Sequence, residues 1–163
     1  MINFHPHVVH FPVALTFALF FYEAWCFFRK EEGSTHAKNF LLLFALLGAL
    51  AAVGTGLWYE EFMPHPHEGA AHNIMERHET LGYVVLGVIV LLNILNIYFG
   101  QKKWGLLSYR LLLAVAAILV GYQGYLGGEL GHTHGLSLPE GVHPPAHMQQ
   151  ILEEDHHLGD EGP

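Results

Sequence analysis

The stretch FLLLFALLGALAAVGTGLWY, residues 40–59, carries no charged side chain. An α-helix rises about 1.5 Å per residue, so a run of this length extends ~30 Å, the thickness of a bilayer's hydrocarbon core. Apolar residues do not alternate with polar ones along it, which argues against a strand of a membrane barrel. Three further blocks share this character: Val8–Phe28, Leu81–Phe99 and Leu106–Leu126. Over the chain 52% of residues are hydrophobic and 13% charged, whereas a soluble domain carries about 25% charged residues. Four buried helices of a soluble protein would need more polar surface than these blocks supply. The reading is an all-α integral membrane protein, a four-transmembrane-helix bundle with helices at about 7–28, 39–59, 79–99 and 107–128. Residues 1–135 form the membrane domain. Residues 136–163, rich in His, Pro and acids, read as a flexible tail.

The first block has no Lys or Arg before it and no small-residue cleavage pattern after it, so it reads as a retained helix and not a signal peptide. A start at Pro12 would leave that helix short, so a start near Pro6 is expected. Cys26 is the single cysteine, which excludes an internal disulfide and a C-x-x-C-H haem attachment.

Charge distributes unevenly between the connecting segments. All but one of the seven basic residues, Arg77, fall in the first and third loops or beside them, at Arg29, Lys30, Lys38, Lys102, Lys103 and Arg110. The positive-inside rule places those loops in the cytoplasm. Both termini and the second loop then face the periplasm of a bacterial inner (cytoplasmic) membrane. Acids follow the opposite trend: of fifteen, only Glu23, Glu31 and Glu32 lie on the inner side. Basic residues used this way mark topology and leave no nucleic-acid patch.

The histidines follow the acids. Of fourteen, all but His36 fall on the outer side. His143, His147, His156 and His157 lie in the tail, and His65 and His67 in a proline-bearing turn. The remainder cluster at helix ends: His5, His7 and His10 at the start of helix one, His72 and His78 before helix three, His132 and His134 after helix four. With a start near Pro6, His7, His10 and Ala14 share one face. Ionisable groups at membrane depth are costly and mark function. Two chemistries suit imidazoles in a bundle. One is haem b held by axial histidines on facing helices. The other is a Zn, Cu or Fe ion held by three or four histidines. A haem needs a gap between helices. Gly48, Ala52 and Gly56 on helix two, Gly82 on helix three, and Gly121, Gly124, Gly127 and Gly128 on helix four supply small residues, mostly at the histidine level. Arg77 beside His78 is placed to pair with a haem propionate.

The run HPHVVHFPVAL, His5–Leu15, resembles the opening signature of the domain-of-unknown-function 2231 family of bacterial membrane proteins. The likeness extends over about the first 135 residues, through the small-residue helix ending near Gly56, the RHETLG segment around His78 and the Gly-Gly-Glu-Leu stretch running to His134 and Gly135. The resemblance implies that His5, His10, His78 and His134 are the signature histidines, with His7, His72 and His132 as additional metal-ligand candidates. It also implies a four-helix module associated with redox domains. The expected function is therefore a b-type cytochrome-like electron-transfer subunit. It would hold one or two haems and belong to a larger membrane redox complex. It would exchange electrons with quinol and an outer-side cytochrome c or similar carrier, with no catalytic residues of its own. A histidine-rich metal-binding or metal-transport protein is the alternative, and a structural subunit without cofactor the plainest one.

Overall fold

A computed structural model describes residues 4–62, 69–99 and 103–132, and all the regular structure there is helical. The helices are α1 (His5–Arg29), α2 (Thr35–Phe62), α3 (Gly69–Phe99) and α4 (Lys103–His132). All four are long and apolar enough to cross a membrane. Each packs against its neighbours in sequence, and α4 returns to α1, closing the ring. The diagonal pairs, α1 with α3 and α2 with α4, make no close backbone approach. Short connections make consecutive helices antiparallel.

The apolar surface settles what solvent this bundle suits. Only 11% to 33% of each apolar span is buried inside the bundle. Phe28 and Ile118 are 80% and 72% exposed, and many large apolar side chains lie outward with them. A helix apolar on every side finds its solvent in hydrocarbon, where its backbone bonds are satisfied internally. Lipid is as apolar as leucine, so the helices hold together by close packing. Gly48 of α2 shows how: a Cβ there would stand 3.0 Å from Phe11 Cδ1 and Pro12 Cδ of α1. Pro12 thus lies inside α1, in contact across the seam, and Thr16 Oγ1 donates to its carbonyl at 2.8 Å.

Helix ends follow local chemistry more than hydropathy. Expected to begin near residue 79, α3 begins at Gly69. The added segment, GAAHNIMERHE, is rich in Ala, Met, Glu and Arg, good helix formers that a hydropathy reading passes over. The end of α1 is closed by a left-handed Lys30 (φ 55°), with Lys30 N–H on the Phe27 carbonyl and Glu31 N–H on that of Cys26, a Schellman arrangement. Ser34 caps α2, its Oγ accepting from Ala37 N–H at 3.3 Å.

Inside, layers stack along the axis. Ala49, Val85, Ile89 and Val120 form one apolar layer, and Leu19, Leu42, Leu92, Tyr109, Leu113 and Ala116 a second. A charged layer follows. Glu23, 3% exposed, meets Lys38 Nζ at 3.1 Å on one oxygen and Arg110 Nε at 2.9 Å on the other. Nearby, Asn96 Nδ2 donates to Asn39 Oδ1 at 2.7 Å, joining α3 to α2. Residues 5 and 23 lie ~27 Å apart along α1, so the charged layer and the histidine end lie near opposite edges of a hydrocarbon core.

Candidate functional site

Two histidines meet where the diagonal helices otherwise stay apart. His5 extends from the first turn of α1 and His78 from the third turn of α3. Their ring centroids are 6.3 Å apart and their planes 83° from parallel. Each ring lies against a glycine of a neighbouring helix. A Cβ at Gly56 of α2 would stand 3.2 Å from His5 Cε1, and one at Gly127 of α4 would stand 3.1 Å from His78 Cε1. The two glycines are therefore the space in which the rings sit.

Each imidazole also has a partner on the same neighbouring helix. His5 Nδ1 is 3.1 Å from Thr55 Oγ1. The Thr55 hydroxyl has one proton, and it is directed at the Ala51 and Ala52 carbonyls at 2.9 and 3.0 Å. The oxygen must therefore accept from His5. Donation from His5 Nδ1 to this oxygen suits both groups. On the other side Gln123 Nε2 donates to the His78 carbonyl at 2.9 Å and stands 3.2 Å from His78 Nε2. Gln123 thereby ties α4 to α3 at this level. His78 Nδ1 and Gln123 Oε1 are buried without a partner among the described residues. Buried polar atoms are almost always paired, so two orphans in one layer are notable.

The spacing suits a shared metal. Imidazole nitrogens bind metals at about 2.0–2.1 Å, so two rings on opposite sides of one ion have centroids ~6 Å apart. His5 and His78 are thus the two described imidazoles that could hold a metal or cofactor between them.

The other sequence candidates fall elsewhere. His7 and His10 are exposed. His10 is five residues after His5, about 140° around the helix, so the two cannot share a face. Ala14 is exposed as well, so the face shared by His7, His10 and Ala14 is the outward one. His72 is half-buried on α3, two turns before His78. Arg77 is exposed and lines a shallow surface depression with Glu76, Thr80, Leu81 and Val84. His132 is the last residue of α4, and its side chain lies outside the described residues, as do His134 and the tail. Among the described residues no three His, Cys, Asp or Glu side chains stand together as a metal site.

Thr55 is the group that sequence reasoning passed over. Its signal was a hydroxyl between two glycines, GTG, at the level of the histidines. Gln123 stood out as a polar group in helix four, though not as a partner of His78.

Fold and site together define a class: a four-helix membrane protein in which, among the described residues, two histidines meet between diagonal helices. The chain belongs to the domain-of-unknown-function 2231 family of predicted membrane proteins, whose model matches residues 1–139. Neither a curated protein nor a solved structure shows significant similarity to it.

Proposed function

We propose that this protein is a b-type cytochrome-like electron-transfer subunit whose haem is held by His5 and His78. The observation that carries this reading is the meeting of two imidazoles, from diagonal helices, on the bundle axis. A bare zinc, copper or iron site takes three or four protein ligands. Haem brings four equatorial nitrogens of its own and asks the protein for two. The described residues offer two.

The group supplies reversible one-electron chemistry when bound. The chain's own residues do the rest. Thr55 keeps the His5 proton on Nδ1 and so leaves Nε2 as the donor. Gln123 holds the position of His78 from its backbone and side chain. Gly56 and Gly127 keep the flanking helices clear of the rings. Arg77, exposed at this end, is a counter-charge for carboxylates at the rim. The apolar layers of Val85, Ile89 and Leu92 carry no imidazole toward the other end, which favours exchange at one membrane face. The distribution of Lys and Arg supports a periplasmic position for the histidine end and both termini. Quinol and an outer-side cytochrome c or similar carrier, within a larger redox complex, are the partners this placement suits.

Purified protein should show the reduced-minus-oxidised absorption of low-spin haem b on adding dithionite. His5→Ala and His78→Ala should each abolish it, while His10→Ala should retain it. A colourless protein with stoichiometric zinc or copper would overturn the proposal in favour of metal binding.

A further inference from the structure

The charged end of the bundle sets two cations against a single buried carboxylate. Glu23 is the one buried carboxylate there among the described residues, and it faces two cations, Lys38 and Arg110. Arg110 spends its Nε on Glu23, and its two terminal nitrogens have no acceptor among the described residues. Lys38 is 11% exposed, and its ammonium lies 5.3 Å from the Tyr109 ring centre. The Tyr109 hydroxyl is buried and likewise has no partner among the described residues. A guanidinium and an ammonium thus share one buried carboxylate, with a phenol ring beside the ammonium. Charges at membrane depth are normally paired, because an uncompensated one pays its desolvation in full. The layer lacks one negative charge.

Arg110 can be reached from outside. Its guanidinium lies 5.6 Å from the ring centre of Phe27, across the α1–α4 seam, and that ring is 58% exposed. Leu107, one turn before Arg110 on α4, is 57% exposed. An anion arriving here would meet a planar pair of N–H donors set beside an apolar surface. Phosphate matches such a fork with two parallel hydrogen bonds. A phosphate attached to acyl chains would also cover Phe27 and Leu107. We propose that the α1–α4 seam at this end binds the phosphate of an anionic phospholipid on the free edge of Arg110, with Lys38 adding charge from below.

The test uses the full chain in nanodiscs of phosphatidylcholine, with and without phosphatidylglycerol, read by thermal unfolding and by native mass spectrometry of retained lipid. Phosphatidylglycerol should raise the unfolding midpoint and be retained in preference to phosphatidylcholine. Inorganic phosphate should give a smaller shift. Arg110→Gln should weaken phosphatidylglycerol binding about fivefold, the share one surface cation contributes to an anionic lipid. Should that variant fail to accumulate, Arg110→Lys decides, because it preserves the charge facing Glu23 but not the fork. It should bind phosphatidylglycerol at least threefold more weakly than the parent. Equal retention of the two lipids, an equal shift from inorganic phosphate, or undiminished binding by the deciding variant would overturn the proposal.

Discussion

The two polar layers of this bundle differ in what they leave unmet. At the charged end, one buried carboxylate, Glu23, is matched by two cations, and the surplus is in positive charge. At the histidine end the groups are imidazoles, an amide and a hydroxyl, and the atoms without a partner among the described residues are His78 Nδ1 and Gln123 Oε1. The histidine layer also has glycines where its neighbours approach, at Gly56 and Gly127. In the charged layer the space is taken by Tyr109 and the long stems of Lys38 and Arg110. The difference teaches that buried polar groups in a membrane bundle can be sorted by what they lack. One layer joins its helices through charge, and the other through imidazole rings seated against glycines.

The sharpest way to break this contrast is to remove a histidine. His78→Ala or His5→Ala should abolish bound haem while changing the unfolding midpoint of the apoprotein little, as measured by absorption and by thermal unfolding in detergent. Retained haem in the double variant would end the distinction between the layers. Next in size is Glu23→Ala, which leaves buried Lys38 and half-buried Arg110 without their shared carboxylate. Breaking a buried pair in this way costs ~3–5 kcal/mol, to be read from chemical unfolding in micelles. A cost below about 1 kcal/mol would place Glu23 with ordinary surface pairs.

Gly127→Ala probes the room beside His78. The added methyl meets a ring rather than a mobile tip, and overpacking of this kind costs ~1–3 kcal/mol. Gly124→Ala, three residues away with nothing within 4 Å of the new methyl, is the matched control. Haem occupancy should fall in the first variant and hold in the second. Equal behaviour would show that the glycine does not shape the site. The smallest effect is expected from Thr55→Val, which takes the acceptor from His5 Nδ1 at a cost of ~1 kcal/mol. A lower haem affinity with an otherwise normal spectrum is the expected result, since outer partners of metal-bound histidines tune affinity without being ligands.

Much of this was legible in the residues. Four apolar runs of membrane length gave four helices, because hydropathy and rise per residue leave few alternatives. The histidine level was legible too, as was the shared face of His7, His10 and Ala14. Its direction was not. Periodicity defines faces up to a rotation, and only packing against α2 turns that face outward and brings His5, Pro12, Thr16, Leu19 and Glu23 inward. Lys38 and Arg110 read as topology signals at loop edges. In the folded chain they lie inside helices that extend past their apolar cores, close enough to share Glu23.

The amino-acid sequence by itself thus determined the membrane, the helix count and the level at which imidazoles gather. These depend on local quantities: side-chain hydropathy, run length and charge. Tertiary structure alone decided that His5 meets His78 across the diagonal, that Gly56 and Gly127 make room for them, and that Thr55 partners His5. Those are distances between residues tens of positions apart, set by how four helices rotate about their own axes when their small residues come into contact.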